Sequence, residues 1–458
     1  MGSLSLLVFF AQFLIASSLV EFQGNELQHK QAGLHFNIYH GQELHSSFMS
    51  KSSFFSDMLA KDEERVKALY SKLAGDVFMS TTPNASEGRE KVVGIPLKSG
   101  LPIGTGNYYV KVGLGTPVKY YTMVVDTGSS LSWLQCQPCV VSCHPQIDPL
   151  FNPSNSKTYK KISCLNPLCS SLKDSTLNDP ICETSSKTCV YRASYGDSSY
   201  SIGYLSQDTL ALSQSQTLPG FVYGCGQENE GLFGRTAGMI GLAHDKLSML
   251  AQLSTKYGYV FSYCLPTSFS ASASTSTGGF LSIGNSSLAT SSYKFTPMMK
   301  DSKNPSLYYL NLATITVAGK PLGVAASSYK VPTIIDSGTV ITRLPVSLYT
   351  ALKEAFVKIM SKKYAQVEGY SILDTCFKGS AKNMLVVPEI QMNFPGGANL
   401  LLKANNVLLE TEKGITCLAF AGSSDNPIAI IGNFQQQRFN VAYDISNSRI
   451  GFAAGGCN

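Results

Sequence analysis

The stretches TMVVDTGSS (residues 122–130) and TIIDSGTV (residues 333–340) decide the fold, because both contain one local pattern. In each, an apolar run leads into Asp, a hydroxyl residue, Gly and a second hydroxyl residue: Asp126, Thr127, Gly128 and Ser129, then Asp336, Ser337, Gly338 and Thr339. Roughly a hundred residues later, two apolar residues and a glycine follow each copy, in AGMIGLA (237–243) and IAIIGNF (428–434). Two such pairs in the same order indicate an internal repeat, and so two related halves.

The repeated Asp-hydroxyl-Gly turn suits a pair of catalytic carboxyl groups. A buried carboxylate needs hydrogen bonds, which neighbouring hydroxyl groups can donate, and glycine allows backbone to approach it closely. Two carboxylates a few Å apart share one proton, which gives one general base and one general acid without a metal or cofactor. A single turn of this kind fits an aspartate that only caps a turn equally well, but the repetition favours catalysis.

The residue pattern from about Gly94 onward predicts an all-β protein. Short β-branched and aromatic runs such as NYYVKVGLGTP alternate with Gly, Pro, Asn and Ser. TALKEAFVKIMSKKY is the clearest helical segment, with Ser347 or Thr350 expected as its cap, and the Ser-rich tract from Thr267 predicts a hairpin tip. The 458 residues, 44% hydrophobic and 14% charged, suggest two lobes with large cores plus extra segments.

The first 18 residues are expected to form a signal peptide. MGSLSLLVFFAQFLIASSLV carries no charged side chain, and small residues follow its apolar run. A membrane anchor is the alternative, but the run is short for a bilayer span.

Residues 19–92, here called the leader, are expected to form a propeptide. The segment FFSDMLAKDEERVKALYSKLA (54–74) predicts an amphipathic helix that covers an apolar surface. Its apolar stripe is Phe54, Met58, Leu59, Val66, Leu69 and Leu73. A surface helix of the folded domain is the alternative, and the polar run STTPNASEGREK near Thr81 suits a processing site.

The twelve cysteines favour six disulfides, because the count is even and the chain is expected to be exported. They are Cys136, Cys139, Cys143, Cys164, Cys169, Cys182, Cys189, Cys225, Cys264, Cys376, Cys417 and Cys457. CQPCVVSCH, which ends at His144, raises zinc as an alternative, but its ligands are too crowded for the usual spacing. Two sequons, at Asn84 and Asn285, are candidate glycosylation sites.

The charge of the chain does not indicate a nucleic-acid-binding protein. The net charge is +6, and because residues 1–91 hold 8 Lys/Arg and 10 Asp/Glu, the rest carries +8. No dense Lys/Arg run with interleaved aromatic residues accompanies it, so a soluble basic surface is the simpler interpretation.

Several longer stretches of the sequence resemble those of a known protein family, among them DTGSSLSWLQC, CVYRASYGDSS, IIDSGTVITRL and IIGNFQQQRFNVAYD. From about Gly106 to Asn458 the chain resembles the pepsin-like aspartic proteases, and among them the nepenthesin-like plant group. The resemblance implies a bilobal β fold with a central cleft and a few short helices. Residues 93–292 would be the N-terminal lobe, with a Cys-rich insertion, and residues 293–458 the C-terminal lobe.

The same resemblance implies roles for the residues around the two aspartates. Thr127 and Ser337 would interlock the two loops, and Ser129 and Thr339 would hydrogen-bond the outer carboxyl oxygens. A flap with Tyr195 and Gly196 would close over the substrate, and Trp133 would hydrogen-bond Tyr195. Alternatively, Trp133 is an ordinary core aromatic and Tyr195 an ordinary strand residue. Ser198 stands where the group commonly has a second flap glycine.

Two disulfides of the second half, Cys264–Cys457 and Cys376–Cys417, are also implied by the resemblance. The implied function is a secreted, monomeric aspartic endopeptidase that acts on protein or peptide substrates. It would be favoured by acid, prefer hydrophobic residues beside the cut, and reside in the apoplast or cell wall rather than the vacuole or chloroplast. A non-catalytic, inhibitor-like binding protein on the same fold is the alternative. Nucleic-acid binding needs a transit peptide, which this N-terminus does not resemble.

Overall fold

Strands are the main regular secondary structure of the computed structural model, which describes residues 51–74, 93–195, 199–231, 233–267, 278–288, 292–412, 414–423 and 428–457. The strands up to residue 297 are β1 (Val93–Ser99), β2 (Tyr108–Leu114), β3 (Lys119–Asp126), β4 (Trp133–Gln135), β5 (Lys160–Lys161), β6 (Ile181–Glu183), β7 (Thr188–Ser194), β8 (Tyr200–Ala211), β9 (Thr217–Glu230), β10 (Gly238–Gly241), β11 (Val260–Cys264), β12 (Gly279–Ile283) and β13 (Lys294–Pro297). The later strands are β14 (Tyr309–Leu310), β15 (Thr314–Val317), β16 (Lys320–Pro321), β17 (Thr333–Ile335), β18 (Thr342–Pro345), β19 (Gln366–Val367), β20 (Cys376–Lys378), β21 (Ile390–Asn393), β22 (Asn399–Leu402), β23 (Leu408–Glu412), β24 (Ile415–Leu418), β25 (Phe420–Ser423), β26 (Ala429–Ile431), β27 (Phe439–Asp444) and β28 (Arg449–Ala454). The helices are α1 (Lys51–Ala74), α2 (Pro167–Ser170), α3 (Leu172–Thr176), α4 (Met249–Tyr257), α5 (Val346–Met360), α6 (Ala404–Val407) and α7 (Asn433–Gln436).

The strands form one large sheet and three smaller ones. The large sheet follows the order β13-β28-β27-β11-β12-β1-β2-β3-β10-β4-β9-β8-β7-β6, with β5 beside β8. The smaller sheets follow the orders β14-β17-β26-β18-β25, β16-β15-β21-β22 and β19-β20-β24-β23. Because β13, β27 and β28 of the second half join strands of the first, the large sheet ties the two lobes together. The all-β, bilobal fold predicted from the sequence is confirmed.

The internal repeat is visible as two equivalent strand pairs. β3 runs parallel to β10, with Asp126 opposite Gly241, and β17 runs parallel to β26, with Ile335 opposite Ile431. The glycine after each apolar pair fits the backbone of the chain that crosses it. A Cβ on Gly241 would lie 2.2 Å from the Ser130 carbonyl oxygen, and one on Gly432 would lie 2.6 Å from that of Val340. Each repeated string thus supplies a strand that holds one aspartate loop in place.

Two segments predicted to be helical are helices. α1 contains the whole predicted stretch 54–74 and begins three residues earlier, at Lys51. The prediction of Ser347 or Thr350 as the cap of α5 was wrong, because this helix begins at Val346 after Pro345, without a side-chain cap. Pro345 occupies the N-cap position with φ −50° and ψ 144°, and its side chain has no oxygen that could accept a hydrogen bond from the first turn. None of the described helices combines the length and apolar character needed to span a bilayer.

Six disulfides connect the twelve cysteines. They are Cys136–Cys225, Cys139–Cys143, Cys164–Cys182, Cys169–Cys189, Cys264–Cys457 and Cys376–Cys417. Four of them hold the loop-rich region between β4 and β9. The Ser-rich tract lies between β11 and β12, which pair antiparallel, although residues 268–277 fall outside the described residues.

Candidate active site

Two buried aspartates meet where the equivalent strands end. Asp126 is the last residue of β3, Asp336 directly follows β17, and the exposed fraction of each is 0%. In the first turn, Asp126 Oδ1 accepts a hydrogen bond from the Gly128 N–H at 2.9 Å, and Oδ2 accepts one from the Ser129 hydroxyl. The turn therefore satisfies both oxygens of its own carboxylate.

The second turn repeats this arrangement. Asp336 Oδ1 accepts a hydrogen bond from the Gly338 N–H at 3.1 Å, and Oδ2 accepts one from the Thr339 hydroxyl at 2.7 Å. The Thr127 hydroxyl of the other lobe also donates to Asp336 Oδ1, at 3.4 Å. The predicted contacts of Ser129 and Thr339 are thus present in the structure.

Thr127 and Ser337 connect the two loops reciprocally. The Thr127 N–H donates to Ser337 Oγ at 3.1 Å, and the Ser337 N–H donates to Thr127 Oγ1 at 2.9 Å. Ser337 Oγ in turn donates to the Val125 carbonyl oxygen at 3.3 Å. Each hydroxyl side chain thus binds the backbone of the opposite lobe, which fixes the spacing of the two carboxyl groups.

Gly128 and Gly338 allow the two carboxyl groups to approach each other. A Cβ on Gly128 would lie 2.9 Å from Asp336 Oδ1, and one on Gly338 would lie 2.3 Å from Asp126 Oδ1. Any larger residue at either position would push the facing carboxylate away. The requirement for glycine in both turns is therefore steric and comes from the carboxylate of the other lobe and, in the full-length chain, from Arg65 Nη2, which a Cβ on Gly338 would approach to 2.2 Å.

The tyrosine and tryptophan singled out in the sequence contact each other beside this site. The Nε1–H of Trp133 donates to the Tyr195 hydroxyl at 2.6 Å, and Trp133 is fully buried on β4. Tyr195 and Trp133 both pack edge-on against Phe233. Gly196 and Ser198, which were also singled out, lie outside the described residues.

Helix α1 of the leader lies over the two aspartates and brings a cation to them. Arg65 Nη2 donates to Asp126 Oδ1 at 2.8 Å and to Asp336 Oδ2 at 3.1 Å. The side chain of Arg65 is only 13% exposed. One guanidinium group therefore bridges both carboxyl groups.

A second charged contact lies one turn earlier on α1. Asp62 accepts hydrogen bonds from the N–H groups of Val340 and Ile341, at 2.5 and 3.0 Å. Arg343 on β18 contacts Asp62 Oδ2 at 3.1 Å and Glu63 Oε2 at 3.1 Å. These contacts attach the helix to the chain that continues from the Asp336 turn.

Apolar contacts hold α1 on both sides of these charges. Its first half packs into one cluster through Phe55, Met58 and Leu59, together with residues of the second lobe such as Leu373 and Leu409. Its second half forms another cluster, which consists of Val66, Leu69, Tyr70, Leu73, Leu307, Tyr309, Ile334, Ile428 and Ile430. The predicted stripe does cover an apolar surface, and that surface borders the aspartate pair.

The electrostatics of the site shift the pKa values of the two carboxyl groups in opposite directions. Burial raises the pKa of Asp126 above its ordinary value, although Arg65 acts in the opposite direction. Burial also acts to raise the pKa of Asp336, but Arg65, the Thr339 hydroxyl and the Gly338 N–H together hold it below its ordinary value. With Arg65 in place, the pKa values of the two carboxyl groups are thus shifted in opposite directions, so the pair loses its two protons in separate steps, with a singly protonated state between them.

A cavity of about 110 Å³ remains between α1 and Tyr195. Tyr195, Phe233, Val124 and Met239 are among the residues that line it. No three His, Cys, Asp or Glu side chains among the described residues are grouped as a metal site would need.

Comparisons with known proteins agree with this site. The family profiles described as xylanase inhibitor N-terminal and C-terminal match residues 108–285 and 307–454. An aspartyl protease family protein of Arabidopsis thaliana is 42% identical over 404 residues, covering 88% of this chain and 82% of the relative. Aspartic proteinase nepenthesin-2 of Nepenthes gracilis is 36% identical over 362 residues, covering 77% of this chain and 78% of the relative. The chain belongs to the pepsin-like aspartic protease family of plants.

The protease also resembles solved structures. Basic 7S globulin from soybean superimposes with a TM-score of 0.62 at 22% identity, covering 80% of this chain and 97% of the globulin. That likeness concerns the fold alone. The relatives that are similar to this chain in sequence are aspartic proteases, so the chain is an aspartic-type endopeptidase.

The sequence did not reveal Asp62, Arg65 or Arg343 as residues of the protease's site. A signal was present, because Asp62 stands at helical spacing between Met58 and Val66, on the apolar stripe of α1. An acidic residue on a buried stripe requires a partner. The sequence alone gave no indication of which partner.

Proposed function

We propose that this chain is the secreted zymogen of an aspartic endopeptidase whose active leader-free form hydrolyses peptide bonds with Asp126 and Asp336. The observation that carries the proposal is the mirrored pair of turns, in which each buried carboxylate accepts hydrogen bonds from its own glycine N–H and hydroxyl group. An inhibitor-like binding protein on this fold has no need for such an arrangement.

The mechanism follows from one proton shared by two carboxyl groups. The ionised carboxylate takes a proton from a water molecule, whose oxygen attacks the peptide carbonyl carbon. The protonated carboxyl group donates to the carbonyl oxygen and stabilises the negative charge that develops there. The carboxyl group that took the proton from water then gives it to the amide nitrogen, the C–N bond breaks and the amine leaves, and the proton on the former carbonyl oxygen returns to the other carboxylate. The Thr127–Ser337 contacts keep both carboxyl groups at the distance that this exchange needs.

The leader would inhibit the uncleaved chain through Arg65. Its guanidinium group lies against both carboxyl groups, where the attacking water and the peptide carbonyl have to be. Two apolar clusters and the Asp62 contacts hold the helix in that position. Removal of the leader, residues 19–92, would therefore create the active enzyme.

Substrate preference and location complete the proposal. Val124, Phe233 and Met239 line the cavity beside Tyr195, so we expect hydrophobic residues next to the cut bond. Six disulfides, the N-terminal apolar run and the exposed side chain of Asn285 in its sequon support export to the apoplast or cell wall and glycosylation there. We expect a monomer that acts on proteins or peptides.

The test is cleavage of a quenched apolar peptide between about pH 3 and pH 7 by the acid-treated protein and its Asp126→Asn variant. Asn has the size of Asp but cannot ionise, so the fold should persist while the shared proton is lost. Acid-favoured cleavage that is absent in the variant is the expected result. A folded, leader-free wild-type protein that cuts nothing would contradict the proposal and favour the inhibitor-like alternative.

A further inference from the structure

We infer that Arg343 is a specificity residue of the activated protease and binds an acidic side chain of the peptide substrate close to the cut bond. The inference rests on the proposed function and adds a substrate class to it. Its basis is the set of partners that Arg343 has in the full-length chain.

The guanidinium group of Arg343 is fully buried, and its acidic partners all belong to the leader helix. Its Nε and Nη2 atoms donate to Glu63 Oε2 at 3.3 and 3.1 Å, and Nη2 also lies 3.1 Å from Asp62 Oδ2. Its remaining hydrogen bond goes from Nη1 to the Ile341 carbonyl oxygen at 2.9 Å. Among the described residues outside α1, none forms an ion pair with Arg343.

Departure of α1 would therefore leave the Arg343 guanidinium group without its acidic partners, on the surface that α1 covers in the full-length chain. The neighbouring titratable group that stays behind is Tyr349 of α5, whose pKa is raised by burial and by its hydrogen bond to Asp374, so it remains neutral. A desolvated guanidinium group presents a planar fork that fits a carboxylate. An acidic side chain of a substrate would replace the negative charge that Asp62 and Glu63 supply in the full-length chain.

The position of Arg343 relative to the aspartates limits which substrate residue it can reach. On α1, Asp62 lies three residues before Arg65, which is about 4.5 Å along a helix axis. An extended peptide advances about 3.3 Å per residue. Because Arg65 marks the site of bond cleavage, the acidic residue should lie within about three residues of the cut bond.

The experiment uses matched pairs of quenched peptides that carry Glu or Gln at one position, scanned over about three residues on either side of the cut. The protein is activated by acid or, if acid leaves the leader attached, by a protease recognition sequence inserted between Ala74 and Val93. At about pH 5.5 we expect the Glu peptide of one pair to be cut at least about tenfold more efficiently than its Gln partner, mainly through KM. This preference should decline below about pH 4.3, where Glu becomes neutral.

Variants assign the preference to Arg343. Arg343→Gln should abolish it, Arg343→Lys should retain part of it, and Arg449→Gln, which removes a cation that pairs with Asp444 instead, should leave it unchanged. If Arg343→Gln does not fold, the inference is tested by three other results: the preference of the wild-type protein for Glu, the pH dependence of that preference, and its partial retention in Arg343→Lys.

Equal cutting of every Glu and Gln pair, or a preference that survives in Arg343→Gln, would overturn the inference and leave the proposed function intact. Failure to cut any peptide would overturn the proposed function and the inference with it.

Discussion

Replacing Arg65 by Ala in the full-length chain is expected to activate the enzyme before any cleavage of the leader. Arg65 donates hydrogen bonds of 2.8 and 3.1 Å to the two carboxyl groups. Hydrogen bonds to charged groups contribute about 1.5–3 kcal/mol each. The carboxyl pair left behind can share a proton, so the lower end of this range applies, and docking of the helix should weaken by about 3 kcal/mol.

This loss translates into a measurable rate. Because 1.4 kcal/mol corresponds to a factor of ten, a loss of about 3 kcal/mol raises the undocked fraction of the helix roughly 100-fold. The assay is the initial rate of cleavage of a quenched apolar peptide at about pH 5.5, recorded while a denaturing gel shows only intact chain. The Arg65→Ala chain should cut about 100-fold faster than the wild-type chain.

The matched control is Lys67→Ala, which removes one positive charge from the same helix. Lys67 is 57% exposed and pairs with Glu64, away from the aspartates, so its loss should leave the rate of the intact chain unchanged. Equal rates for wild-type and Arg65→Ala chains, with both active after leader removal, would refute the idea that Arg65 blocks the site. Equal increases in the Arg65 and Lys67 variants would refute it as well.

Four further results are expected. Release of the helix should increase in acid, because the pKa of Asp336 in the docked state lies below its ordinary value, where Arg65, Thr339 and Gly338 outweigh the effect of burial. The contribution of Asp336 to docking is therefore present above its ordinary pKa and is lost as the pH falls through the lowered one. Asp62 contributes with the opposite sign, since burial raises its pKa, and Asp62→Asn should make the acid release steeper when leader cleavage is followed against pH. Gly338→Ala should lower kcat by at least about 100-fold with little change in KM, since its Cβ would lie 2.3 Å from the facing carboxylate oxygen, and a variant with wild-type kcat would contradict the steric argument. Thr127→Val should lower the free energy of unfolding by about 1–3 kcal/mol in a denaturant titration, because the Ser337 N–H loses its acceptor, and an unchanged midpoint would show that the interlock contributes nothing.

The aspartate loops could be predicted from the sequence because their determinants are local. An apolar run that ends in Asp, a hydroxyl residue and Gly specifies a strand followed by a turn, and its repetition indicated two such turns. The partner strands could be predicted as well, since each apolar pair with glycine follows its aspartate in the same order. The structure aligns Asp126 with Gly241 across parallel strands, as this repetition requires.

The position of α1 could not be predicted in this way. The sequence indicated an amphipathic helix and an apolar surface beneath it, but it did not identify that surface. Residues of the two apolar clusters come from positions as distant as Leu307 and Ile430, and only the folded chain brings them together. The same limit applies to Cys136, whose partner, Cys225, is 89 residues away. It applies also to β27 and β28, which join the large sheet from the end of the chain.

The attachment of α1 to the rest of the chain has a consequence for how the enzyme behaves after cleavage. While the leader is covalently linked, the effective concentration of the helix at its binding surface is about millimolar, and diluting the protein does not change it. A cut between Ala74 and Val93 turns the helix into a separate ligand, whose rebinding depends on its own concentration. Cleaved enzyme kept concentrated would therefore remain inhibited by its own released helix, and dilution into a large extracellular volume would free it.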